Sequence, residues 1–270
     1  HPEQMRSSGY RVFTELLRAN MRHAGALRID HVMALERLYV IPKGAPPREG
    51  AYLAYPFADL VGILALESVR RRCLVIGEDL GTVPHGFRER AAAASILSYR
   101  VLRFERDAHR FFGPNEYPRL AVAVCGNHDL PTLRGWWQGA DLTLEHEHGV
   151  LSVDDLEAAR ERRDADRRAL LELLHREELL PFWVADPSYE ELFGAVHALL
   201  GRTRALLVLA QLDDALRELM PVNVPSTPRY PNWRRRYGKN VEELGNEPLL
   251  AAVAAAFGAL RVPDGGPSAA

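Results

Sequence analysis

The chain has 270 residues, 47% of them hydrophobic, enough to bury the core of one large domain or two small ones. Lys and Arg number 34 against 36 Asp and Glu, a formal net charge of -2. This balance offers no broad electrostatic attraction to nucleic acid or anionic membranes and suits a neutral substrate.

Val12, Phe13, Leu16, Leu17 and Met21 recur at helical spacing within a helix expected over residues 3–22, with Gly25 as its stop. A helix so near the first residue, His1, suggests that the chain continues a longer protein. A first strand begins at Ala26 and reads Ala-Leu-Arg-Ile-Asp-His-Val. Apolar runs with charged ends return at Cys73–Asp79, Tyr99–Phe104, Leu120–Asp129 and Ala205–Ala210. Helices are expected at Tyr55–Arg72, Pro84–Ala94 and Ser188–Leu200. Between the fourth and fifth strands, a helical insertion at about 141–200 includes the charged stretch Asp154–Leu180, read as a solvated face, with Ser152 and Asp155 spaced as a capping box. The Pro- and Gly-rich tail at 261–270 is expected to be disordered.

Alternating strands and helices make this an α/β chain, and the polar strand ends favour a (β/α)8 TIM barrel. No Gly-rich phosphate loop follows any strand. About five of eight strands are visible, and an open five-stranded piece leaves two unpaired edges. Residues 1–260 are therefore expected to form the C-terminal portion of the barrel, completed by a missing N-terminal half. Cys73 and Cys125 sit inside apolar runs, without a disulfide framework. No run of 18 apolar residues and no signal-peptide pattern is present, so the expected setting is cytoplasmic, away from membranes.

Residues two apart in a strand face the same side, so Arg28 and Asp30 are expected to project together, the cation holding the acid ionised. Glu78 follows Val75-Ile76-Gly77 directly, and Asp129 ends the fourth apolar run. Three acids at the C-terminal ends of three strands would meet at the mouth of a barrel. Glycoside cleavage uses such a set: one carboxylate attacks the anomeric carbon, one acid protonates the departing oxygen, and negative charge favours the oxocarbenium-like transition state. A rival reading makes Asp30, His31, Glu78, His128 and Asp129 metal ligands, but they lack the H-x-H and H-E-x-x-H spacings of such sites. His146 and His148 do form an H-x-H, within a polar Glu-His-Glu-His stretch read as a solvated loop. Neither metal nor cofactor is expected.

Arg28-Ile-Asp30-His31, the run Ile76–Pro84, Asn127-His-Asp129-Leu-Pro-Thr132, and Asn223-Val-Pro225 with Pro231-Asn-Trp-Arg-Arg235 occur in this order. Together they resemble the bacterial 4-α-glucanotransferases, or amylomaltases, from about Gly25 to Arg236. The resemblance implies retaining transfer of an α-1,4-glucan segment to a sugar acceptor, with Asp30 as nucleophile, Glu78 as acid and base, and Asp129 as transition-state stabiliser. It implies substrate binding by Arg28, which orients Asp30, and by His128. Asn223, Asn232 and Trp233 are read as structural, and Trp136 and Trp137 as core. Ser226 stands where the family usually has Gly. Two alternatives stay open: a noncatalytic glucan-binding or structural fragment, and an α-glucan hydrolase with the same three acids.

Overall fold

In the computed structural model, which describes residues 1–225 and 227–260, the first expected helix is two helices. Gly9 (φ 61°) and Tyr10 (φ 56°) both take left-handed conformations, ending α1 (Pro2–Ser7) and redirecting the chain into α2 (Arg11–Met21). Glycine enters this region without the Cβ clash that opposes other residues. The expected disordered tail and Ser226 lie outside the described residues.

The elements that follow are β1 (Ala26–Ile29), β2 (Arg37–Val40), β3 (Ala51–Ala54), α3 (Phe57–Arg71), β4 (Leu74–Gly77), α4 (Phe87–Ala93), β5 (Leu97–Val101) and β6 (Ala121–Val124). After them come α5 (Leu133–Gln138), α6 (Ala140–Glu147), α7 (Val153–Arg176), α8 (Tyr189–Gly201), β7 (Leu207–Leu209), α9 (Leu212–Ala215) and α10 (Pro248–Leu260). The five strands read from sequence are joined in one sheet, in the order β1-β4-β5-β6-β7. β1 pairs parallel with β4, and β4 with β5; Arg28 lies opposite Ile76 and Ile29 opposite Gly77.

Two differences have clear causes. β5 starts two residues earlier than expected and stops before Phe104, because Ile96 and Leu97 are buried and the Glu105 N–H turns back to the carbonyls of Val101 (3.2 Å) and Leu102 (3.1 Å). The antiparallel hairpin of β2 and β3 was not expected: its apolar runs, Leu38–Ile41 and Ala51–Tyr55, run into Pro42 and Pro56 rather than into charged residues, and both strands are largely exposed.

The chain divides into two compact units, one of residues 1–99 with 120–122, the other of residues 100–119 with 123–270. In the first, Leu17 and Met21 of α2 share a face and pack with Leu60 and Leu64 of α3, Val75, Phe87 and Ile96. Glu67 of α3 is buried and takes both oxygens to Arg18, from Nε (2.9 Å) and Nη2 (2.8 Å), with a further bond from Arg70 (2.9 Å). In the second unit, α7 begins as expected, Ser152 Oγ accepting the Asp155 N–H at 3.1 Å. Its charges are not all solvated: Leu156, Ala159, Leu170, Leu173 and Leu174 form a buried stripe, and Arg163 forks onto Asp141 through two bonds of 2.7 Å. Among the described residues, no helix is long and apolar enough to cross a membrane.

The Arg18 hydrogen bonds, against the opposing effect of burial, hold the Glu67 carboxyl down at about 2. A carboxylate depressed in the folded state stabilises above its unfolded value and loses that contribution as pH falls through the folded one. Glu67→Gln is therefore expected to lower the melting temperature by about 3–6 °C at pH 7. The gap should close between roughly pH 4.5 and 2; a pH-independent difference in thermal melts contradicts this.

Candidate active site

The first unit sets two acids side by side through strand register. Because Ile29 lies opposite Gly77, the next residues, Asp30 and Glu78, emerge together from the ends of β1 and β4. The ladder continues past the strands: the Glu78 N–H donates to the Ile29 carbonyl (2.9 Å) and the Val32 N–H to the Glu78 carbonyl (2.9 Å). The buried Glu78 carboxylate accepts two backbone N–H groups, from His31 on Oε2 (2.7 Å) and from Leu80 on Oε1 (2.6 Å). His31 reaches this position in a left-handed conformation (φ 44°).

Asp30 is exposed, and its Oδ1 lies 3.0 Å from Arg28 Nη2, so the two-residue periodicity of the strand does place cation and acid on one face. The Arg28 guanidinium rests over the Tyr99 ring, 5.0 Å from its centroid. Asp79, given no role in the sequence reading, is buried and accepts the Tyr99 N–H (2.9 Å) and Arg88 Nε (2.8 Å), tying β5 and α4 to the end of β4. Its signal was a second acid directly after a buried strand. Gly77 leaves no room for a side chain: a Cβ there would stand 2.8 Å from Val32 Cγ1 and 3.0 Å from Ile96 Cγ2.

In the second unit, Asp129 lies five residues beyond β6, in a turn closed by the Leu130 N–H on the Asn127 carbonyl (3.1 Å). Asn127 Oδ1 accepts the Asp129 N–H at 2.9 Å. One Asp129 oxygen accepts Asn223 Nδ2 (2.6 Å), and the other is 3.2 Å from His128 Nε2. The His128 ring lies 5.4 Å from Trp233. The three residues expected to be structural thus divide. Asn232 is structural, accepting the Val224 N–H (2.8 Å) and donating to the Thr227 carbonyl (2.9 Å). Asn223 bonds Asp129 itself, and Trp233 is exposed beside His128. Trp136 and Trp137 are buried core residues, 6.3 Å apart.

Buried and partly buried polar groups fix the downstream arm of this turn. Arg103 donates to the Pro131 carbonyl, Thr132 Oγ1 caps α5 by accepting the Gly135 N–H (2.9 Å), and Asp214 accepts the Leu133 N–H (2.6 Å). Burial pushes the Asp214 carboxyl up to about 6. A cleft of about 170 Å³ opens beside Asp129, its lining including Asp141, Glu145, Pro221 and Asn223. Of the two histidines read as loop residues, His146 lies within α6, its Nδ1 3.0 Å from the Leu151 carbonyl, and His148 stands in the turn that follows the helix. Among the described residues, no group of three or more His, Cys, Asp or Glu is placed to hold a metal ion.

A model of glycoside hydrolase family 77, described as 4-alpha-glucanotransferase, matches residues 1–240. The chain belongs to this family. It is 40% identical over 247 residues to the 4-alpha-glucanotransferase of Haemophilus influenzae, covering 87% of this chain and 35% of that protein. It is 39% identical over 241 residues to the 4-alpha-glucanotransferase of Mycobacterium tuberculosis, covering 86% and 33%. The chain thus spans about a third of the length of these curated family 77 relatives. The crystal structure of amylomaltase from Corynebacterium glutamicum superposes with a TM-score of 0.90 at 30% identity, over 95% of this chain and 39% of that one. The fold is therefore the expected part of a (β/α)8 barrel. An amylomaltase from Streptococcus agalactiae in complex with acarbose, 16% identical with a TM-score of 0.69 over 98% of this chain and 47% of that one, shares the fold.

The crowding at Gly77 is testable in this family 77 chain. β-branched Val32 has little rotamer freedom with which to yield. Gly77→Ala should destabilise by about 1–3 kcal/mol, the usual scale of overpacking; an unchanged denaturant midpoint contradicts the contact.

Proposed function

We propose that the protein is a retaining 4-α-glucanotransferase that moves a segment of α-1,4-glucan to the 4-hydroxyl of glucose or a maltooligosaccharide, in maltooligosaccharide, starch or glycogen metabolism. Asp30 attacks the anomeric carbon as the bond to the departing sugar breaks, forming a covalent glycosyl intermediate. Glu78 protonates that sugar's oxygen and then takes the proton of the acceptor hydroxyl. Asp129 stabilises the oxocarbenium-like transition state, Arg28 orients Asp30, and His128 hydrogen-bonds the reacting ring. The double displacement requires neither metal nor cofactor.

The observation that carries this reading is topological. Each acid follows the C-terminal end of a strand in one sheet, the end at which (β/α)8 enzymes hold their chemistry. The detail around Glu78 supports its role. The two backbone N–H groups fix this side chain next to the segment that carries Asp30, the placement required of a group that exchanges a proton with the sugar leaving Asp30's side. The acids alone fit hydrolysis equally well; family membership favours transfer. The reading treats residues 1–260 as one catalytic domain, assigns the remaining barrel strands to a segment outside this chain, and places the protein in the cytoplasm. Both cysteines are buried and free, which suits a reducing compartment.

The full-length gene product incubated with maltotriose should yield glucose together with chains longer than maltotriose. Glucose and maltose alone indicate a hydrolase, and no products indicate a binding protein. Asp30→Asn should lower transfer by about 10²-fold or more with an unchanged circular dichroism spectrum. A variant that keeps a larger share of the rate removes Asp30 as nucleophile.

A further inference from the structure

The cleft beside Asp129 is lined by two acids that this scheme leaves unused, Asp141 and Glu145. At about 170 Å³ it is smaller than the roughly 300–1,000 Å³ of sites for drug-sized ligands, and suits a single sugar ring. Apart from Glu145, the polar side chains in its lining are already engaged. Asn223 donates to one oxygen of Asp129, His128 faces the other, and Asp141 is gripped by two nitrogens of Arg163. Glu145, one helical turn after Asp141 on α6, is different. Its carboxyl is half-buried yet has no hydrogen-bond or ion-pair partner among the described residues. Burial, followed by the Asp141 carboxylate, pushes that carboxyl above its ordinary range, and Arg163 offsets the shift in part.

A carboxyl group taken from water without compensating hydrogen bonds is costly. Packing does not require one here: Leu142 and Leu144 supply the buried positions of this part of α6, and the Glu145 side chain lines the cleft instead. We propose that Glu145 is a sugar-binding residue, its carboxyl bonding a hydroxyl of a glucosyl ring seated in this cleft beside Asp129. An ionised carboxyl accepts from a sugar hydroxyl, and a protonated one can also donate. The identity of the ligand rests on the glucanotransferase reading; the presence of a polar subsite rests on the cleft.

The test uses the full-length gene product carrying Asp30→Asn, so that maltotriose binds without turning over, with binding read by calorimetry. Adding Glu145→Ala is expected to weaken maltotriose binding about 10-fold, the scale of one hydrogen bond to a charged group. Adding Glu145→Gln, which keeps the length and a hydrogen-bonding amide, should recover the affinity to within about threefold. In the otherwise wild-type enzyme, Glu145→Ala should raise the KM for maltotriose by a larger factor than it lowers kcat. Unaltered binding by the Ala variant overturns the proposal. So do equal losses with Ala and Gln, which mark a structural role, and failure of the Asp30→Asn parent to bind maltotriose. If the wild-type protein binds maltotriose but transfers nothing, the transferase reading fails while the calorimetric comparison still decides the role of Glu145.

Discussion

The two backbone N–H groups that converge on the Glu78 carboxylate are the constraint on which the first unit's chemistry depends. One comes from His31, directly after Asp30, and the other from Leu80, so a single side chain joins the segment after β1 to the segment after β4. The link works because the strands are in register, with Ile29 opposite Gly77. It also needs Gly77 to be bare, since Val32 and Ile96 close over that position. Rigid placement matters because a misplaced reacting group loses much of the advantage of intramolecular geometry. In the proposed mechanism the proton donor is held by the segment that carries the nucleophile.

The second unit fixes its acid by other means. Asp129 stands on a turn beyond its strand, where ladder hydrogen bonds cannot hold it. Asn127 holds its N–H, while Asn223 and His128 take its two oxygens. Arg103, partly buried, and Asp214, fully buried, secure the residues that follow. Buried polar groups stabilise poorly unless satisfied, but satisfied ones specify a single arrangement. Here they are spent on the backbone from Pro131 to Leu133, between Asp129 and the start of α5.

What was legible in the sequence follows from range. The five sheet strands were visible as short, mostly apolar runs with charged ends, buried throughout only in β6, and Asp30 and Glu78 because each stands at the end of such a run. Arg28 was placed correctly by the two-residue periodicity. The β2–β3 hairpin was missed because its apolar runs, Leu38–Ile41 and Ala51–Tyr55, run into prolines instead of charged residues. The break at Gly9 was missed because the helix marked by Val12 to Met21 was extended back over residues 3–8, where Met5 is the one apolar residue. Asn223 was read as structural because its partner lies 94 positions away, a distance over which no local pattern operates. Glu145 was lost in a charged stretch taken for a loop. Only the helix through Glu147 and the cleft lining give it a direction.

The central claim is that Asp30 becomes covalently bonded to sugar, and trapping tests it most directly. In the full-length gene product carrying Glu78→Gln, α-maltosyl fluoride can form the intermediate without acid assistance: the Asp30 oxygen bonds to the anomeric carbon as fluoride leaves. Without the base, breakdown of that intermediate stalls. The account predicts one maltosyl adduct, located by peptide mass spectrometry on the fragment containing Asp30. An adduct on Asp129, or no adduct while fluoride is still released, contradicts it.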